Sequence, residues 1–362
     1  MDPHSPEAKA KQQPLRVGIN GFGRIGRIFT RIVWDNPRFE IVAINSRSSC
    51  DIYAHLLKYD SIYGPWDYGV THDGNDALVI DGKRVPLHHE DELEKAPWDK
   101  YDVDVVIEST GVFRDRESSQ KHIDAGAKYV AISAPGKNVD ASLLYGINHR
   151  DFDPKKHRIF SCVSCTTACL APVVKTLHDE FGIVHGNLMT AHAYTNDQHL
   201  VDHPHQKGDF RRSRAAGLSI VPSKTGAAKA IGDLMPELIG KLDGFALRVP
   251  VEIVSVINLT AELERSVTVD EVNEAFRTAA REKYPKSMTV SDLPLVSVDY
   301  VRSPYGSIVD SLSTKVIDGK MVSVLAWYDN EWGYVTQMAN LLGYIARMIQ
   351  YAEAASEITT VT

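Results

Sequence analysis

Residues 15–45 read LRVGINGFGRIGRIFTRIVWDNPRFEIVAIN, and their order decides the fold. Leu15–Asn20 is an alternating, β-favouring run that gives way to glycines. Gly23–Asp35 spaces its apolar residues as a helix does and stops before Asn36-Pro37, and Phe39–Asn45 is a second apolar strand. Two strands around one helix predict a parallel β-α-β unit, because parallel neighbours need a crossover. At its first turn, Gly21-Phe22-Gly23-Arg24-Ile25-Gly26 fits G-x-G-x-x-G. The hexapeptide alone is weak, but between a strand and a helix it predicts a dinucleotide site. Gly21 permits the tight turn, Gly23 admits a pyrophosphate and Gly26 lets helix and strand pack closely, while the helix N-terminus offers N–H groups to the anion.

A carboxylate that binds the ribose 2′-hydroxyl belongs about 20 residues beyond this turn. Ser46 stands there, followed by Arg47. A serine removes the repulsion of a 2′-phosphate, and a guanidinium can fork onto it, so NADP or dual NADP and NAD use is expected. The alternative has Arg47 in solvent and Asp51 on the ribose.

The alternation continues. A helix is expected at Ile52–Tyr59, and a hairpin joins Ala77–Ile80 to Arg84–Leu87 at Asp81-Gly82. Short buried strands follow at Asp104–Glu108 and Tyr129–Ser133. Loops at their ends, carrying Ser109, Thr110, Gly111 and Ser133, are expected to gather ligand. After Cys165 the texture changes. A helix at Thr166–Phe181 precedes β-rich segments at Phe245–Val249, Val251–Leu263, Leu295–Val301 and Ser307–Trp327, the last folding back at Asp318-Gly319-Lys320. A closing helix covers about Tyr334–Ala354. The expected class is therefore α/β and α+β: a Rossmann-type dinucleotide-binding domain (15–164) and a mostly antiparallel-sheet catalytic domain (165–331). Residues 332–362 are expected to return to the first domain as a helix and tail, and 1–14 to form a disordered polar tail.

The second decisive stretch is Ser164-Cys165-Thr166-Thr167. Ser164 is a good N-cap, and a cysteine opening a helix is favoured as a thiolate by the dipole and free N–H groups. A histidine such as His192 can lower the thiol pKa as an imidazolium and then serve as acid–base partner. Spacing alone does not prove that these two meet. Cys162, Cys165 and Cys169 could instead ligate a metal or cluster, but a fourth ligand is missing nearby, and Cys169 reads as a small buried hydrophobe.

Composition narrows the class. The chain has 362 residues, enough for two cores, with 43% apolar and 24% charged residues. A net charge of -7 gives no pull toward nucleic acid or an anionic membrane, and no apolar run approaches a bilayer span. Four cysteines and no apolar leader predict a cytoplasmic protein without a disulfide framework.

With these motifs in order, the chain resembles phosphorylating glyceraldehyde-3-phosphate dehydrogenases from Leu15 to about Ile349. The matching segments are Asn20–Arg27, Ser164–Thr167, His192–Gln198, Thr225-Gly226-Ala227-Ala228-Lys229 and Trp327–Tyr334. The resemblance implies that Cys165 is the nucleophile and His192 its partner. It implies that Asn330 holds the nicotinamide carboxamide, with Tyr334 nearby, and that Arg24 and Ile25 lie along the pyrophosphate. Thr195, Arg248 and Arg212 would bind the substrate phosphate, and Ser164, Thr166, Thr225 and Gly226 the attacking inorganic phosphate. A loop from about Asn196 to Ser219 would cross to a neighbour in a homotetramer. The implied substrate is glyceraldehyde 3-phosphate, with erythrose 4-phosphate the alternative. Departures are Ala168 for an expected asparagine, Ser46 for an aspartate and Gly208 within a longer loop, while Pro204 matches NAD-preferring members and tempers the NADP expectation.

Overall fold

The computed structural model describes residues 13–360; the expected tail over residues 1–14 lies almost wholly outside them. Contacts divide the chain into two compact units, Met1–Val163 with Met338–Thr362, and Ser164–Gln337.

The first unit holds β1 (Leu15–Asn20), α1 (Arg24–Val33), β2 (Phe39–Asn45), α2 (Cys50–Lys58), β3 (Val70–Asp73), β4 (Ala77–Ile80) and β5 (Lys83–His88). It continues with β6 (Val105–Glu108), α3 (Arg116–Asp124), β7 (Tyr129–Ile132), β8 (Ala141–Ser142) and β9 (Ile159–Ser161). The nine strands form one sheet in the order β3-β4-β5-β2-β1-β6-β7-β9-β8. β1 lies parallel between β2 and β6. The chain order reverses there, which opens the ligand crevice at the carboxyl ends of these strands. β1 is the floor of this arrangement, with Val17 and Ile19 fully buried.

The second unit holds α4 (Cys165–Phe181), β10 (Ile183–Ala193), β11 (Val221–Lys224), α5 (Ala227–Leu234), β12 (Leu242–Val249), β13 (Ser255–Leu263), α6 (Val269–Glu282), β14 (Met288–Ser291), β15 (Ser307–Ile317) and β16 (Met321–Tyr328). Its seven strands run β11-β12-β10-β13-β16-β15-β14. Only β10 with β12 and β14 with β15 pair parallel; the other four pairings are antiparallel. α4 packs across β13, β15 and β16. The last helix, α7 (Trp332–Thr360), begins in this unit and ends in the first.

Two expectations change. Leu295–Val301 is not a strand: Ser297–Tyr300 is a 3-10 turn, closed by Asp299, whose carboxylate accepts from the Val296 N–H at 2.8 Å. β13 starts at Ser255 rather than Val251, because Val254 takes φ +68, which breaks the extended backbone. Among the described residues, no helix is long and apolar enough to cross a membrane.

Candidate active site

In the first unit the three motif glycines differ in what they face. Gly21 has φ +91, and a Cβ there would meet the Thr110 nitrogen at 2.8 Å. At Gly26 a Cβ would strike the Gly21 carbonyl at 2.7 Å and Ile19 at 3.0 Å, so helix and strand touch. Gly23 faces open space, with nothing within 4 Å. It is also the N-cap of α1, where no side chain caps the helix. A helix N-terminus without a side-chain cap, beside open space, is what a pyrophosphate requires.

Around this turn lies a cavity of about 360 Å³ lined by Gly21, Phe22, Gly23, Ser46, Arg47, Ser109 and Thr110 among others. Its residues fit a nicotinamide dinucleotide. Not every sequence candidate points into it. The Arg24 guanidinium turns away to an ion pair with Asp60 and over the Tyr63 ring at 5.5 Å. Phe22 is fully buried, and its N–H donates to the Ser46 hydroxyl at 3.0 Å. That hydroxyl also bonds Tyr53. Ser133 donates from Oγ to the Glu108 carbonyl at 3.0 Å, at the end of β7. Gly111 takes φ +73. Asp51 is exposed, with its carboxylate bonded by Ser49.

Beneath the turn sits a buried carboxylate that the sequence reading missed. Glu108 accepts from Asn20 Nδ2 at 2.6 Å, from the Thr110 N–H at 2.8 Å and from the Thr110 hydroxyl. His122 Nε2 lies 3.1 Å away, while His122 Nδ1 receives the Trp98 indole N–H at 3.1 Å. An Nδ1 that accepts the indole N–H leaves Nε2 as the nitrogen that donates to Glu108. The network fixes Asn20 and Thr110, the two residues that flank Gly21.

In the second unit, Cys165 is the first residue of α4. The Ser164 hydroxyl caps that helix by accepting from the Thr167 N–H at 3.1 Å. β10 carries His192 to it: Cys165 Sγ lies 3.4 Å from His192 Nε2. The other ring nitrogen, Nδ1, is 2.7 Å from the Ala193 carbonyl and 2.7 Å from Arg248 Nη1. Arg248 stands opposite His192 in the β10–β12 register. Burial, then the Arg248 charge, pushes His192 down to about 3. Burial also pushes the Cys165 thiol up, against the opposing pull of Arg248 and of hydrogen bonds from Thr166. Desolvation thus works against the charged forms of both groups, opposite to the pull that the helix dipole and Arg248 exert on the thiol.

Thr195 and Asp197 follow β10. The Thr195 hydroxyl donates to Asp197 at 2.5 Å, and Arg212 pairs with the same carboxylate. Burial raises Asp197, but Thr195 and the Arg212 and Arg248 charges hold it below the usual carboxylate range. Arg248 Nε is buried with no hydrogen-bond partner. A buried cationic donor left open marks a place for an anion.

The remaining candidates are placed separately. Thr166 is turned inward, its hydroxyl 2.9 Å from Tyr328 Oη, and Thr190 holds the same phenol at 3.0 Å. Tyr328 also meets His192 edge-on at 6.0 Å; its place in β16 gave no sequence signal for this role. Thr225 and Gly226 stand at the start of α5, which packs beside α4, and the Thr225 hydroxyl accepts from the Ala227 N–H at 3.2 Å. Ser255, also missed, donates to Asn330 Oδ1 at 3.0 Å and accepts from the Ala193 N–H at 3.0 Å, tying the Asn330 amide to the histidine strand. Tyr334 is buried in the first turns of α7. Cys162 and Cys169 are enclosed, and burial raises both thiols, Cys162 to about 12. Among the described residues no His, Cys, Asp or Glu cluster could hold a metal ion.

Comparison with known proteins covers both halves of the chain. Residues 15–116 match the model of the glyceraldehyde 3-phosphate dehydrogenase NAD binding domain, and residues 164–330 that of its C-terminal domain. A glyceraldehyde-3-phosphate dehydrogenase of Geobacillus stearothermophilus is 51% identical over 332 residues, 92% of this chain and 98% of that protein. Glyceraldehyde-3-phosphate dehydrogenase 2 of Bacillus subtilis is 47% identical over 340 residues, 94% of this chain and 99% of its own. A relative of the same name, from Trichormus variabilis, is 46% identical over 336 residues, 92% of this chain and 98% of its own. With both halves matched in order and nearly full-length relatives near half identity, the chain belongs to the glyceraldehyde-3-phosphate dehydrogenase family.

Proposed function

We propose that this chain oxidises glyceraldehyde 3-phosphate to 1,3-bisphosphoglycerate with inorganic phosphate, through a thioester on Cys165. The observation that carries the reading is the Cys165–His192 contact of 3.4 Å set beside Arg248, whose buried Nε lacks a partner. As Cys165 Sγ bonds the aldehyde carbon, His192 Nε2 takes the thiol proton and delivers it to the carbonyl oxygen, giving a thiohemiacetal. A nicotinamide dinucleotide, when bound, supplies the acceptor for the hydride that leaves this carbon. His192 takes the hydroxyl proton in the same step, and the carbon becomes a thioester. Inorganic phosphate then attacks, the C–S bond breaks, and the departing Cys165 thiolate recovers its proton from His192.

Arg248, with Thr195 and Arg212, is suited to the substrate's phosphate, since charge-assisted donors are the strong ones. Ser164, Thr166, Thr225 and Gly226 are assigned to the second anion, with Thr166 held by Tyr328. Gly21–Gly26, Ser46, Arg47, Ser109–Gly111 and Ser133 are assigned to the dinucleotide, and Asn330 and Tyr334 to its nicotinamide end. Ser46 and Arg47 favour dual use of NAD and NADP. The chain works as a homotetramer in the cytoplasm, and its two anion-binding sets favour the triose substrate over erythrose 4-phosphate. Reduced-nicotinamide absorbance tests the reading. Activity is expected only with glyceraldehyde 3-phosphate, inorganic phosphate and a dinucleotide together, and its absence with both coenzymes would overturn it.

A further inference from the structure

At the end of β2, the position that discriminates the ribose, Ser46 spends its hydroxyl on the Phe22 N–H and on Tyr53. Arg47 is not free either. Its Nε donates to Asp91 at 2.8 Å, with side chains 83% and 73% exposed. Arg47 and Asp91 line the same cavity as Gly21 and Gly23.

Asp91 arrives from the loop after β5, and that loop is stitched to the end of β2. The Ser46 N–H donates to the His88 carbonyl at 2.9 Å, and His89 Nδ1 lies 2.9 Å from the Ser46 carbonyl. Asn45 closes the seam by accepting from the Glu90 N–H at 2.8 Å and donating to its carbonyl at 2.9 Å. The backbone, rather than chance rotamers of two surface side chains, thus brings Asp91 to Arg47.

We propose that Asp91 is a specificity-determining residue for the coenzyme. By holding Arg47 in an ion pair it favours a dinucleotide with a free 2′-hydroxyl over one with a 2′-phosphate. The inference rests on the dehydrogenase reading above. A 2′-phosphate needs the guanidinium fork that Arg47 could offer, and it must compete with Asp91 for it. Both residues are exposed, so substitution leaves the core untouched and the competition is strongest at low salt.

Calorimetric titration of the purified protein with NAD and with NADP at low ionic strength tests this. Asp91→Asn is expected to improve NADP affinity relative to NAD by about two- to fivefold, the scale of an exposed ion pair. The gain is expected to disappear in the Arg47→Ala background and to shrink with added salt. An unchanged ratio in Asp91→Asn, or a gain that persists without Arg47, would overturn the proposal. If the wild-type protein bound neither dinucleotide, the dehydrogenase reading itself would fall, a result distinct from an unchanged ratio.

Discussion

The burial of His192 beside Arg248 has a consequence for stability. His192 sits at about 3, against 6.5 for an ordinary histidine. Between those values the unfolded chain binds a proton that the folded chain does not. Stability therefore falls as pH drops from 6.5 toward 3, by about 1.4 kcal/mol per pH unit from this one group. In urea unfolding at pH 6.5 and pH 5, His192→Gln should lose less stability than wild type; equal losses would refute the assignment. Cys165→Ser should lower turnover by at least about 10³-fold and abolish the trapped acyl-enzyme. Arg248→Ala should lower kcat/KM for the phosphorylated aldehyde roughly ten- to hundredfold, while unphosphorylated glyceraldehyde, turned over slowly, shows little change. Equal losses with both substrates would remove Arg248 from the phosphate site. At this scale the place of Cys165 at a capped helix start was legible in the sequence, because Ser164 before it is a local signal. Its contact with His192 was not legible from spacing: only the β10–β12 register brings His192 beside Arg248, and only β16 brings Tyr328 to Thr166.

The elements explain why G-x-G-x-x-G was the more readable motif. Its three glycines act within a few residues of each other, through turn, approach and packing, and each role has a separable test. Gly23→Ala should leave thermal stability near wild type yet weaken dinucleotide binding, since the added methyl enters only open space. Gly26→Ala should lower the melting temperature as well, because its Cβ meets a backbone carbonyl at 2.7 Å. Similar melting temperatures for the two variants would contradict this division. The failures at this scale are equally physical. Leu295–Val301 carries spaced apolar residues, but Val296 and Val298 are 60% and 69% exposed, so the pattern marks a surface turn rather than a buried strand face. α6 went unread although Thr268 and Glu271 form a reciprocal capping box at its start, a signal present in the sequence.

At the scale of the whole molecule, the loop over residues 196–219 exposes Leu200, Val201, Phe210 and Leu218, each more than 70% open. So many large apolar side chains in one loop of a monomer point to a partner surface. A second copy is the expected occupant, and sedimentation should give a tetramer that Phe210→Asp with Leu218→Asp shifts to smaller species. An unchanged tetramer in that variant would move the interface elsewhere. The first unit, in turn, is not contiguous. It takes back Met338–Thr362, where Leu341, Leu342 and Ile345 are buried, Gly343 approaches the Phe39 ring and Gln350 donates to the Gln13 carbonyl at 2.8 Å. On the ribosome the order of completion is therefore inverted. Residues 164–337 emerge as a whole unit, while the amino-terminal unit, begun first, waits for the last helix of the chain before its core can close.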